Sequence, residues 1–359
     1  MLTVLVYVSV SLILIILAFL FEIINSNVKL KTNRKSLPNH FFIIPSFLLL
    51  FIVSAFRGDF TTDYKNYSML FHSYNRYSFT EVFQANFYQE NGYIFLNKLI
   101  GLFTSNDFYL LIFITFIILY GFFHQFSKYS AYIWLSVLMF TTIGAYYTSF
   151  NTMRHILAVA IVFFGSKFLY ERNLFKYCIV IIIASLFHRS ALIMIVFYFI
   201  LNFKFNIKNL TIILLGSIAT MLSLNTILEF IQRTSYSVYT PDAYGMTGLS
   251  FTNAVLPIAI LIFSLFYHKK IDLNNTIQKI WINAVVFYTV FSVLGLKVQM
   301  IQRIAEYFAP YALLLIPLIF SKMKNDELKV IYMMVFIFVL VLYNYIVLSG
   351  TGYDPYYFI

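Results

Sequence analysis

From Val4 to Leu348 the chain is a succession of apolar runs, each closed by a short cluster of charged or amide side chains. A helix rises 1.5 Å per residue, so about 20 apolar residues cross a hydrocarbon layer about 30 Å thick. Twelve runs meet or approach that length: 2–24, 41–56, 108–126, 131–150, 154–170, 174–187, 190–203, 210–224, 251–267, 280–296, 304–320 and 330–348. They predict an all-α polytopic integral membrane protein of twelve transmembrane helices, organised as one unit over 1–359. Two stretches between runs are long enough to form substantial loops, at 57–107 and 225–250. The first run lacks a charged leading segment and exceeds the apolar core of a signal peptide, so it is expected to stay as an anchor.

The two shortest runs meet at His188 and Arg189. Read as a single crossing, they would invert everything downstream and carry eight lysines to the wrong side of the membrane. Read as a hairpin of short helices, they leave His188 recessed below the surface. Irregular backbone survives there only beside protein or water.

Composition agrees with the pattern. Hydrophobic residues make up 61% of the chain and charged ones 11%, against about 25% charged in soluble domains. A soluble globule is excluded. The lone cysteine, Cys178, excludes an intramolecular disulfide and a cysteine metal site. The net charge of +11 comes from basic residues in short loops, the pattern of a topology signal and not of a nucleic-acid surface.

With alternate loops on opposite sides, sixteen basic and five acidic residues fall on one side, nine of each on the other. The positive-inside rule makes the first side cytoplasmic and puts both termini outside. Six of the eight arginines (Arg57, Arg76, Arg154, Arg189, Arg233 and Arg303) nevertheless fall on the outer side. Lysine suffices for retention inside, whereas the planar guanidinium fork grips phosphate or carboxylate bidentately. The outer set therefore points to an anion; headgroup snorkelling or pairing with nearby acids is the structural alternative.

The outward loop 57–107 carries Phe60, Tyr64, Tyr67, Phe71 and Tyr74 at steps of three and four. That spacing makes an aromatic stripe on a helix too polar to span, expected to lie flat on the membrane. Tyr88, Tyr93, Tyr353, Tyr356 and Tyr357 add aromatic surface to the same side, fit for interfacial anchoring or for stacking on sugars. Arg154 follows Asn151, a candidate N-cap, and so stands in a helix first turn whose free amides already favour an anion. Arg303 opens the run 304–320 with Glu306 and Tyr307 three and four residues on, which equally allows a local salt bridge. His188, with the ordinary imidazole pKa near 6.5, is the first candidate proton acceptor, ahead of Asp63 and Glu90; interhelical hydrogen bonding is its structural alternative. Asp59 and Asp63 are one turn apart but stand beside Arg57, and no metal is predicted.

In order along the chain, Arg57, Gly58, Asp63, Tyr64, Tyr67, Glu90, Gly92, Tyr93, Asn151, Arg154, Phe187, His188, Ser190, Ala191, Leu192, Arg303, Tyr307, Phe308, Asp354, Pro355 and Tyr356 resemble the motifs of the EpsG family of Wzy-type bacterial polysaccharide polymerases. The resemblance covers nearly the whole chain; glutamine is frequent in that family where His155 stands, and Arg189 falls at a variable position. It implies a GT-C-like glycosyltransferase in the bacterial cytoplasmic membrane, with no cofactor. The donor and acceptor it implies are oligosaccharide repeat units on undecaprenyl pyrophosphate, and the remaining partners are membrane lipid and a chain-length regulator, with no nucleic acid. On that basis His188, Arg154, Arg303 and Asp63 are the expected catalytic residues. Arg57, Tyr64, Tyr67, Glu90, Arg189, Glu306, Tyr307, Tyr353 and Tyr356 are the expected substrate contacts. A polymer ligase and a lipid-linked sugar flippase remain the alternatives.

Overall fold

A computed structural model describes residues 2–32, 38–59, 61–85, 87–143, 145–232, 251–349 and 356. The helices among them are, in chain order, α1 Leu2–Thr32, α2 His40–Ala55, α3 Thr62–Arg76, α4 Glu81–Gln84, α5 Asn91–Gly101, α6 Phe108–Tyr129, α7 Ile133–Thr142, α8 Ala145–Thr148, α9 Met153–Phe164, α10 Ser166–Tyr170, α11 Leu174–Ser185, α12 Ile193–Ile200, α13 Ile207–Gln232, α14 Thr252–Phe266, α15 Thr276–Leu294, α16 Gln299–Ala305, α17 Ala309–Ser321 and α18 Asp326–Ser349. A 3-10 turn, Arg189–Leu192, precedes α12. No strand forms among the described residues.

Each of the twelve apolar runs carries helix, but four helices are long and apolar enough to cross a membrane unaided: α1 over Val6–Asn25, α6, α15 and α18. Helices α11, α12 and α14 are shorter than the runs that contain them. Run 131–150 divides into α7 and α8, run 154–170 breaks at Gly165 into α9 and α10, and run 304–320 is preceded by the separate α16 and begins its main helix only at Ala309. Hydropathy marks such segments as apolar throughout and is blind to these breaks, because the backbone can leave the helix without changing composition. Helix α13 continues to Gln232, into the stretch read as the second loop; the rest of that loop, with Arg233, lies outside the described residues.

The chain forms two compact units. In Met1–Leu192 with Phe320–Ile359, α6 and α9 are the central pair. Ile114, Ile118 and Phe122 on α6, and Ile156, Leu157 and Phe163 on α9, are all buried. The two helices approach closely at Gly121, where an added Cβ would lie 3.0 Å from the Ala160 carbonyl oxygen. Such small-residue crossings are how helices gain contact in a medium that supplies no hydrophobic drive. Aromatic rings fill the remainder: Phe122 packs at a tilt against Phe140 at 4.3 Å and against Phe163 at 5.4 Å.

In the second unit, Ile193–Ile319, Asn283 on α15 donates 2.9 Å bonds to the carbonyls of Leu201 and Phe203, satisfying acceptors just past the end of α12. Phe197, Phe287, Phe291 and Phe308 form an aromatic cluster, with Phe197 and Phe308 ring centroids 4.7 Å apart.

Helix α3 corrects one expectation. Its aromatic stripe does not face the headgroups: Phe71 and Tyr74 are fully buried. Tyr67 and Tyr74 meet Tyr93 of α5 at 6.0 and 6.5 Å, and Tyr74 meets Phe87 at 4.8 Å. A periodic stripe specifies a face but not the medium that covers it, and here α5 takes the place expected for lipid. Phe60 lies outside the described residues.

Candidate functional site

The site is built on the segment Glu90-Asn91-Gly92-Tyr93 that opens α5. Glu90 holds the N-cap position with extended backbone (φ −68°, ψ 141°), yet its carboxylate does not cap its own helix. The start of α5 is instead pressed against the turn that ends α11. The Tyr93 amide donates to the Leu186 carbonyl at 3.2 Å, and a Cβ on Gly92 would lie 2.6 Å from Leu186 Cβ and 2.7 Å from its oxygen. Only glycine permits that approach. It brings the Glu90 carboxylate over the first residues past α11.

Glu90 there joins three chain segments. Its Oε2 is 2.6 Å from an Arg154 guanidinium nitrogen in the first turn of α9. Its Oε1 accepts from the Arg189 amide at 3.2 Å and stands 3.6 Å from His188 Nδ1. The side chains are recessed, with 24%, 11% and 15% exposure for Arg154, Glu90 and His188. His155, 2% exposed, packs edge-on to His188 with centroids 4.8 Å apart and planes at 77°. The Arg154 guanidinium also lies over the Tyr93 ring at 5.4 Å, a cation–π contact.

Helix α9 begins one residue later than expected. Thr152, not Asn151, is its N-cap, and the Thr152 hydroxyl turns back to the Thr148 carbonyl at 3.1 Å, so no side chain caps the helix. The Asn151 carbonyl accepts from the Tyr67 hydroxyl at 2.9 Å, which ties α3 to the segment carrying Arg154. Burial raises the Tyr67 phenol above the usual tyrosine range, with the Arg154 charge opposing the shift, so the hydroxyl stays a donor.

Arg57 lies just past α2 and is 1% exposed. Its guanidinium donates to the Ser54 carbonyl at 2.5 Å and to the Phe150 carbonyl at 3.4 Å, and sits 4.7 Å from the Phe150 ring centroid. Burial lowers its pKa to about 10, partly offset by the surrounding Tyr146, Tyr64, Tyr356 and Tyr67, so it remains charged at neutral pH. A cavity of about 10 Å³, lined by Arg57, Tyr64, Tyr67, Ser68, Asp107 and Met153 among others, adjoins it. That is room for one water and not for a phosphate. Arg57 thus clasps the end of α2 to the segment before α9. Tyr356 reinforces that end: its hydroxyl donates to the Val53 carbonyl at 2.6 Å and its ring meets Tyr7 at 5.8 Å.

The sequence candidates therefore separate. Glu90, Arg154, His188 and the Arg189 amide converge, with Tyr67 beside them. Tyr64 is half-buried next to Arg57, and Asp63 is half-buried in the first turn of α3. Arg303, Glu306 and Tyr307 belong to the second unit: Arg303 is exposed in the last turn of α16, Glu306 is that helix's C-cap residue and Tyr307 is buried. Tyr353 lies outside the described residues. Two features escaped the sequence reading, the central place of Glu90 and the contact of His155 with His188. The first is a pairing across 64 residues that no local spacing signals; the second was foreshadowed only by His155 standing next to Arg154.

A carboxylate shared between a guanidinium and an imidazole, below the ends of apolar helices, is equipped to hold an anion and to move a proton. With the fold, it defines an all-helical membrane protein with a recessed polar cluster. Residues 40–358 match the EpsG family, and the chain belongs to it; this is a family of Wzy-type polysaccharide polymerases. Among curated proteins and solved structures, none matches the chain.

Proposed function

We propose that this protein joins oligosaccharide repeat units carried on undecaprenyl pyrophosphate into a polysaccharide, by glycosyl transfer on the outer face of the bacterial cytoplasmic membrane. It does so as a GT-C-like enzyme of twelve membrane segments with both termini outside. Membrane lipid surrounds it, and a chain-length regulator is its expected protein partner. The observation that carries the reading is the Arg154–Glu90–His188 cluster, with the ion pair at 2.6 Å and the imidazole at 3.6 Å from the same carboxylate.

The acceptor sugar hydroxyl attacks the anomeric carbon of the donor. A C–O bond forms, the bond from that carbon to the pyrophosphate oxygen breaks, and the hydroxyl proton passes to a base. Negative charge gathers on the departing diphosphate while the ring becomes oxocarbenium-like. Arg154 supplies charge-assisted donors to the diphosphate, each worth about 1.5 to 3 kcal/mol; Arg303 is the second cation assigned to it. His188 takes the proton, with Asp63 as the alternative acceptor. Tyr67 holds the Asn151 carbonyl and so the approach to Arg154; Tyr64 and Tyr353, with Arg189 and Glu306, are assigned to the saccharides, whereas Tyr307 and Tyr356 are buried and serve packing. Arg57 acts from behind, by fixing the segment that leads into α9.

The test is loss of polymer with retention of the monomeric product. Arg154→Ala and His188→Ala should each leave single repeat units outside at normal protein level, and purified protein given a defined lipid-linked unit should yield a product ladder that both variants lose. Normal chain lengths from either variant would remove that residue from the mechanism. Long chains left on the carrier would instead indicate a ligase, and units stranded inside a flippase.

A further inference from the structure

The arginine assigned to the diphosphate already has an anion. Glu90 Oε2 takes one Arg154 nitrogen at 2.6 Å, while Oε1 faces away, toward the Arg189 amide and His188. A carboxylate so placed engages the guanidinium through one oxygen only, and Arg154 Nε is buried without a hydrogen-bond acceptor. That donor is unused. A phosphate, with several oxygens and a larger charge, fills such a fork better than one carboxylate oxygen does.

A diphosphate at Arg154 cannot simply join Glu90, because two anions in contact in a recessed site repel strongly. One must yield. Glu90 has a second partner within reach, since His188 Nδ1 lies 3.6 Å from Oε1, slightly beyond a hydrogen bond. A small rotation that takes Oε2 off Arg154 can close that gap.

We propose that Glu90 is an exchangeable counter-ion: it blocks Arg154 in the empty site, and a diphosphate-bearing substrate displaces it onto His188. The inference rests on the reading of Arg154 given above. Its consequence is a coupling. The imidazole gains the carboxylate that orients it and raises its basicity only once the donor's diphosphate is seated. Glu90 is in this sense a positioning residue, acting through Arg154 before binding and through His188 after it.

The test measures inorganic pyrophosphate binding to the purified full-length protein by calorimetry, alongside KM and kcat with a lipid-linked repeat unit. Glu90→Gln keeps the size and the acceptor for the Arg189 amide but removes the competing charge. Pyrophosphate should bind at least about tenfold more tightly to it, with KM reduced and kcat reduced by about tenfold or more. Glu90→Asp, which keeps the charge but shortens its reach, should shift both quantities in the same direction. A purely structural carboxylate would lower activity without tightening binding, so unchanged or weaker pyrophosphate affinity in both variants overturns the proposal. Failure of both variants to elute as folded protein assigns Glu90 to the scaffold and overturns it too. Should the wild type bind no pyrophosphate, or Arg154→Ala bind it as the wild type does, the diphosphate reading itself fails, and the exchange with it.

Discussion

Gly92 and Leu186 stand so close that a Cβ on the glycine would overlap the leucine's Cβ at 2.6 Å and its carbonyl oxygen at 2.7 Å. This contact, not any side-chain bond, sets the height of Glu90 above the turn that carries His188. Gly92→Ala poses two opposed effects. Alanine gains about 1 kcal/mol in helix propensity, but the clash involves backbone and costs about 1 to 3 kcal/mol. The clash should win, displacing α5 from the turn. Polymer yield should then drop about as far as for His188→Ala, although Gly92 touches no substrate. Full-length polymer from Gly92→Ala at normal protein level would show that the close approach is dispensable.

The helices were legible because the apolar runs are long and their charged punctuation is clear, as with run 108–126 and α6. Their breaks were not, since run 131–150 stays apolar through the point where α7 ends. Of the site, residue types and one shared end could be read, because Arg154 and His188 both fall at the same end of alternate runs. What joins them could not be read. Glu90 lies 64 residues before Arg154 and 98 before His188, and only the packing of α5 on the end of α11 brings it to both.

Arg57 and Arg154 look alike in sequence and differ in structure. Arg57 is enclosed and donates to the Ser54 and Phe150 carbonyls; Arg154 is recessed but reachable. Removing Arg57 takes the guanidinium donor from the buried Ser54 carbonyl, at about 1 to 3 kcal/mol, leaves the Phe150 carbonyl with the Thr61 hydroxyl alone, and opens a cavity. Arg57→Ala, and Arg57→Lys through loss of the planar fork, should lower the unfolding temperature of the detergent-solubilised protein by several degrees. Arg154→Ala should leave it close to wild type while abolishing polymer. Equal thermal stability of Arg57→Ala and the wild type would refute the clasp.

The inward turn of the α3 stripe separates Tyr74 from Tyr88. Tyr74 is fully buried against Phe87 and Tyr93, whereas Tyr88 is 90% exposed. Tyr74→Ala should destabilise the protein by about 3 to 5 kcal/mol, as large-to-small changes at buried aromatic positions do, and Tyr88→Ala by less than about 0.5 kcal/mol. A stripe that served only as an interfacial anchor would give the two substitutions similar, small effects. Unfolding in detergent decides between them.

The topology behind the proposed reaction makes a prediction of its own. Lys65 on α3 and Lys324 between α17 and α18 are both exposed, and the charge pattern puts them on opposite sides of the membrane. With Cys178 replaced by serine, single cysteines at these positions can be probed with a membrane-impermeant maleimide. Lys65→Cys should label in cells whose cytoplasmic membrane is intact and accessible, and Lys324→Cys only after permeabilisation. The reverse pattern would turn the α3 and α5 end of the protein, with Glu90, Arg154 and His188, toward the cytoplasm. A diphosphate-linked donor delivered to the outer leaflet would then never meet the carboxylate and guanidinium pair.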